Sequence, residues 1–472
     1  MKAKRLNRRD FLRFAAAGLG TVVATACAPK AEPAADSSQV PKPPATQAPV
    51  EQPAAASNVV EIHCSIWPDV PDKNINDRTA QLVAEQLPGI KLVPEAYAGD
   101  YYDKLKVNFA GGTPPDLAYA EGYNWQPFLP VVSPLDDYIK RDNMASGWAD
   151  LPHYKNLATW HGKTYLTVID TGSIVMFYNK TLFDKAEVPY PTDDWTFSDF
   201  QAMIPKLTRE EDGTKYYGYA TCGGAWLGGY VWWIPFLRMD GKLEFDSIVE
   251  PKKALWTQSE IVDALQFETC DVIAKGYAPT PDVINGGGVS IATNRVAMGL
   301  QGPWYLPQCY GPQAATPDGV SFDVCMPPLG SVGKHMPDAE LQGHLLPTAC
   351  KHPEEAWKVM KLWMGPEVAK ITAEEGRMCG TPENTDKYWV PIIRDRFHFD
   401  RADVFVKAQL AGNHPVVNGP GANNAAFTGA SGPLAVATDA MFGLQKTAKE
   451  ALTEANSKMQ QMLDDYWQKQ SS

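Results

Sequence analysis

The sequence predicts an α/β protein of two or three domains. Three observations lead there: a β-α-β-α-β succession between residues 60 and 120, a second strand-and-helix unit from residue 164, and a composition able to build a sizeable core. The chain has 472 residues, 44% hydrophobic and 21% charged, with 37 Gly, 39 Pro and 14 Trp. That excludes a disordered, collagenous or small disulfide-stapled chain. The net charge of −12 argues against a general nucleic-acid binder, because phosphate contacts need clustered Lys and Arg.

Taken in order, Lys2, Lys4, Arg5, Arg8, Arg9 and Arg13 precede an apolar run from Phe14 to Ala26. The run falls short of the roughly 20 residues a spanning helix needs, and residues 1–26 read as a cleavable export signal. The order Asn7-Arg8-Arg9-Asp10-Phe11-Leu12-Arg13 resembles a twin-arginine signal, with departures at Asn7 and Arg13. Ala24-Thr25-Ala26-Cys27 is similar to a lipobox, in which Cys27 is diacylated and becomes the mature N-terminus. Residues 27–58 are then a Pro- and Ala-rich tether that buries too little apolar surface to fold. Losing residues 1–26 removes six bases and one acid and takes the charge to −17. Besides Cys27, seven cysteines remain, at 64, 222, 270, 309, 325, 350 and 379, an odd number whose pairing the sequence does not give; most read as buried apolar thiols.

Val60, Ile62, Cys64 and Ile66 alternate with polar neighbours and predict a strand. A helix follows from Asn76 to Leu87, burying Thr79, Leu82, Val83, Gln86 and Leu87, with Gly89 as its stop. Next come a strand from Ile90 to Tyr97, a helix from Tyr101 to Ala110 with Tyr101, Leu105 and Phe109 on one side, and a strand from Asp116 to Ala120. Such strands should be parallel, with right-handed crossovers, and ligands of parallel sheets sit beyond the carboxyl ends of the strands. The loops there carry Trp67 and Asp69, then Asp100, then Glu121, Tyr123, Asn124 and Trp125. Two indoles, a phenol and three carboxylates thus fall on one rim.

The second unit opens with a strand over Thr164 to Asn179 and a helix from Thr196 to Leu207. Ser198 and Gln201 are its capping box, Phe197, Phe200, Ile204 and Leu207 its buried side, and Pro205 an expected kink. Further helices are expected at Pro353 to Met364 and Thr447 to Trp467, the latter burying Ala448, Leu452, Ala455, Met459, Met462 and Tyr466.

Four segments carry a family resemblance: "GGTPPDLAYAEG" from Gly111, "VMFYNKTLFDKAEVPYPTDDWTFSDF" from Val175, "NRVAMGLQGPWYLPQ" from Asn294 and "HPEEAWKVMKLWMGPE" from His352. Through them the chain resembles the extracellular solute-binding proteins of family 1, the receptors of carbohydrate ABC importers. The resemblance implies a type II periplasmic-binding-protein fold, with two discontinuous α/β lobes joined by a hinge and the ligand in the cleft between them. Residues 59–170 with 328–368 would form one lobe and 171–327 with 369–472 the other. It also implies a monomer that captures a sugar or oligosaccharide outside the membrane and hands it to permease subunits, with no cofactor, metal or catalysis.

A sugar offers flat C–H faces edged by hydroxyls, so its site needs aromatic plates and planar polar groups. Besides the rim, Trp226, Tyr230, Trp232 and Trp233 lie in a glycine-rich run, with Trp232 and Trp233 reading equally as core. Trp304 stands where the family commonly places a stacking tryptophan. Arg377 either bonds hydroxyls or braces the interlobe loop, and Asp170 and Glu374 are further polar candidates. A surface glycosidase or lyase shares this composition, although no serine elbow, P-loop, full dinucleotide fingerprint or His-Glu-x-x-His motif is present. Adjacent Tyr216 and Tyr217 raise a ferric-ion receptor as another alternative, and polyamine, glycerol-phosphate or polyol ligands remain open.

Overall fold

In the computed structural model, which describes residues 59–99, 101–144, 154–224, 229–310, 321–397, 400–412, 419, 424–429 and 431–471, the first strands and helices alternate as the pattern requires. Strand β1 (Val60–Ile66) pairs in parallel with β2 (Ile90–Ala96) along its length and with β3 (Leu117–Glu121) at Cys64 and Ser65. Helices α1 (Val70–Gln86) and α2 (Tyr101–Ala110) make the crossovers. Helix α1 begins six residues before the expected Asn76, because the Asp69 side chain accepts the Asp72 N–H at 2.8 Å and Pro71 suits the first turn. Its buried face is Asp72, Ile75, Asn76, Thr79 and Val83, whereas Gln86, expected inside, is exposed. Two of the polar members donate within the helix, Thr79 to the Ile75 carbonyl and Asn76 to that of Asp72.

The expected strand over Thr164 to Asn179 is broken: Thr164 pairs with Thr159 in a small separate hairpin, and the remainder is two strands in two sheets. Strand β4 (Thr167–Ser173) joins the first sheet and β5 (Val175–Asn179) the second, the chain switching at Ile174, whose N–H donates to the Asp338 carbonyl. Strand β5 is buried along its whole length between β6 (Met298–Gln301) and β7 (Phe322–Cys325), both antiparallel to it. Strand β8 (Ala339–Pro347) then returns to the first sheet antiparallel to β3 and β4, and β9 (Met378–Cys379) closes its edge. The order is β9-β4-β8-β3-β1-β2, with Val132–Ser133 paired to the end of β8. Thr171–Ser173 and Met378–Cys379 therefore belong to the first sheet, past the expected edges at 170 and 368.

Helix α3 (Phe197–Leu207) is capped by Thr196 and Asp199 rather than by Ser198 and Gln201. The Thr196 N–H donates to the Asp199 carboxylate at 2.8 Å while its hydroxyl accepts from the Asp199 N–H. Pro205 falls in the last turn, and the helix stops two residues later. Helix α4 (Tyr230–Leu237) lies almost wholly inside the core. Helix α5 (Pro353–Trp363) packs Trp357, Met360 and Trp363 with Ile62 and Leu92 of the first sheet, and α6 (Pro366–Glu374) follows. Helix α7 (Ala448–Ser471) buries Ala448, Leu452, Ala455 and Met459 as expected. At its far end Leu463 takes the place of Met462 and Tyr466, which are half-buried there.

All seven described cysteines are free, six of them buried. Cys27, the signal and the tether lie outside the described residues. Among the described residues no helix is long and apolar enough to cross a membrane.

Candidate functional site

Register builds the floor of the site. Gln342 on β8 stands opposite Glu121 on β3 and Asp170 on β4, so the three side chains share one face of the sheet. Alternation puts Glu340 on that face too, opposite Gly172. A cavity of about 370 Å³ opens over it, lined by the expected Trp67, Asp69, Glu121, Tyr123, Trp232, Trp304 and Arg377 together with Asp72, Tyr119, Gln308, Glu340 and Gln342. A second space of about 700 Å³ adjoins it, sharing Trp67, Glu121, Tyr123 and Trp232 and lined also by residues of α2 and by Thr428, Gly429 and Ser431–Pro433.

The three indoles come from separate parts of the chain. Trp67 ends the β1 segment and is held by tyrosines, its ring 5.1 Å from that of Tyr101 and 6.4 Å from that of Tyr119. Trp232 reaches the cavity from α4 half-buried, while its neighbour Trp233 is fully buried in the core. Trp304 follows β6 and lies across Gly172.

Not every expected residue arrives. Trp125 was expected on the rim but is fully buried, its indole N–H donating to the Leu157 carbonyl at 2.6 Å. The chain turns directly after β3 into the short helix Gln126–Val131, which carries that ring inward. Asp170 is 5% exposed and, although on the floor's face of the sheet, does not line the cavity. Glu374 pairs with Arg78 away from the cavity. Tyr216 and Tyr217 do not line the cavity, and Tyr216 lies under the guanidinium of Arg209. Trp226 and Asp100 fall outside the described residues.

Arg377 bridges elements 305 residues apart: its Nη2 donates to Asp72 Oδ2 and to Asp69 Oδ2, each at 2.7 Å. Bracing and lining are thus one role. The carboxyl groups are buried against one another. Burial holds the Asp72 carboxyl well above the ordinary range despite Arg377. Burial likewise raises Glu121, although Asn124 donates to its Oε2 at 2.7 Å and Tyr102 at 3.2 Å. Glu340 is pushed well up by burial and by Asp338 beside it, and Asp170 is pushed up to about 7 by burial.

Among the described residues of the wall, Gln342 Oε1 and Arg377 Nε are buried without a hydrogen-bond partner. A buried orphan costs about 1–3 kcal/mol, so the cavity wall is poised for a polar occupant.

The sequence reading missed Asp72, Tyr119, Gln308, Glu340 and Gln342. Asp72 was hidden by placing the helix start too late. Glu340 and Gln342 carried a legible signal: polar residues two apart in a run that is otherwise mostly apolar. Among the described residues, no group of three or more His, Cys, Asp or Glu is arranged to hold a metal ion. The arrangement offers indole plates edged by hydrogen-bonding groups.

The family described as bacterial extracellular solute-binding protein matches residues 72–370. Among solved structures, the chain is similar to an ABC substrate-binding protein from Listeria monocytogenes in complex with cycloalternan. Identity is 20%, coverage 86% of this chain and 99% of that one, and TM-score 0.72. It is also similar to a solute-binding protein from Thermotoga lettingae bound with α-D-tagatose (21% identity, 85% and 99% covered, TM-score 0.69). A third is the maltose/maltodextrin-binding domain from Bdellovibrio bacteriovorus bound to maltotriose (17%, 86% and 100%, 0.67). No curated protein sequence matches significantly.

Proposed function

Because the chain belongs to the bacterial extracellular solute-binding proteins, a family that works outside the cytoplasm, we propose that its cavity captures a sugar or oligosaccharide for an ABC importer. The observation that carries this is the meeting of Trp67, from the first sheet, with Trp232 and Trp304, from around the second, over a floor of carboxylates and amides. Indole faces stack on the C–H faces of a pyranose, and the planar groups at their edges bond its hydroxyls. The sugar ligands named for the structural relatives support the same reading.

The two sheets are the frames of two lobes. The chain would cross between them near Ile174, between Cys325 and Ala339, and after Cys379. Closure on the solute would shift an open-to-closed equilibrium by the extra contacts of the closed form, and the closed form would dock on a permease as a monomer. Cys27 would carry the lipid anchor after twin-arginine export, with residues 28–58 as the leash. The solute leaves chemically unchanged.

A thermal-shift screen with mono- and oligosaccharides tests the reading, since a ligand at a hundred times its Kd stabilises by about 2.7 kcal/mol. Trp304→Ala should abolish the shift while the unliganded protein melts as before. A shift that survives would remove Trp304 from the site, and hydrolysis products in the bound sample would overturn the reading as a receptor.

A further inference from the structure

The cavity wall is lopsided in charge. Asp69, Asp72, Glu121 and Glu340 line it, against Arg377 as the one cationic side chain there among the described residues. That guanidinium is already committed, its Nη2 to both Asp69 and Asp72. Glu121 accepts from neutral donors, Asn124, Tyr102 and Tyr123, and feels Arg377 only through its charge. The amide of Gln342, 5% exposed, donates its N–H to Glu340 at 3.0 Å and leaves Oε1 without a partner. At this end of the cavity acceptors outnumber donors, and one buried acceptor is empty-handed.

We infer that the solute carries a positive charge: an amino-substituted saccharide whose ammonium group seats between Glu121, Glu340 and the Gln342 carbonyl. This rests on the reading of the cavity as a sugar site and narrows it. An ammonium brings three N–H donors and a full charge, and charge-assisted bonds are roughly twice as strong as neutral ones. A hydroxyl in its place donates once and brings no charge to the two carboxyl groups. The indoles suit either ligand by stacking and suit a cation further through their negative faces. Burial holds Glu121 above the ordinary carboxylate range, and burial with repulsion from Asp338 and Glu121 holds Glu340 well above it, the condition a bound cation relieves.

Calorimetric titration of the full chain with matched saccharides decides the matter. The probes are oligomers of glucosamine, the same oligomers N-acetylated, and glucose oligomers of the same linkage and length, each from one to four residues. The amine form should bind at least tenfold tighter than both neutral forms. That advantage should shrink severalfold between 20 and 300 mM salt and fall below threefold in Glu340→Gln. Neutral oligomers binding as tightly as the amine would overturn the charge inference while leaving sugar capture intact. Equal binding of spermidine and the glucosamine oligomers would show that the sugar frame contributes nothing and would overturn the amino-saccharide assignment. If no saccharide in the panel binds, both the inference and the reading it rests on fail.

Discussion

The indole of Trp304 lies so close over Gly172 that a β-carbon at position 172 would sit 2.6 Å from Cζ3. Gly172 stands opposite Glu340 in the first sheet, and Trp304 follows a strand of the second. A missing side chain on one sheet thus leaves room for an aromatic plate from the other.

Gly172→Ala should therefore push the ring aside. Saccharide affinity is expected to fall at least tenfold, about 1.4 kcal/mol, with a smaller change in thermal stability. In a Trp304→Ala background the same substitution should cost no further affinity, because the clash has gone. A double-mutant cycle read by calorimetry, using the saccharide with the largest thermal shift, checks this; additive losses would show that the two residues act separately.

Arg377→Ala would leave Asp72, whose side chain is 5% exposed, facing Asp69 with no counter-charge. Breaking such a buried pair from one side costs about 3–5 kcal/mol. Adding Asp72→Asn should recover much of the loss by removing the stranded charge. Urea unfolding of the three variants measures both steps, and a loss under 1 kcal/mol for Arg377→Ala would show that the bridge is dispensable.

Glu268 gives a pH dependence that can be read away from the cavity. It is fully buried, accepts from Tyr219 at 2.9 Å and from Thr221, and burial pushes it from 4.5 up to about 7. Between those values the folded protein holds a proton that the unfolded chain has released. The contribution to stability is therefore complete below about pH 4.5 and is lost as pH rises through 7. Glu268→Gln carries no titrating proton, so its stability relative to the parent should improve by on the order of 2 kcal/mol from pH 5 to pH 8. His344, held neutral by burial with its pKa lowered to about 3, acts in the opposite sense below pH 6.5 but equally in both proteins. Denaturation at the two pH values checks the sign, and a gap that does not change with pH would mean that Glu268 is ionised throughout.

Local pattern carried a great deal of the fold. The alternation of β1, the bounds of α2 and the proline-led start of α5 were all legible, because each depends on residues within a few positions of one another. The capping residues of α3 were misread by neighbours, since Thr196/Asp199 and Ser198/Gln201 satisfy the same spacing and only backbone direction separates them. The aromatic rim was partly legible. Trp67 and Trp125 both follow strands, yet one lines the cavity and the other is fully buried in the core. Which way a loop turns depends on what it packs against.

The sequence by itself determined the β-α-β-α-β succession, its parallel pairing and the concentration of indoles and carboxylates after strand ends. Periodicity and strand-exit position are properties of short stretches. The tertiary structure alone decided that Asp72 meets Arg377 across 305 residues, that one apparent strand splits between two sheets at Ile174, and that Gln342 stands between Glu121 and Asp170. Those outcomes rest on sheet register and on which charged groups share a buried volume, and neither quantity exists until distant segments have come together.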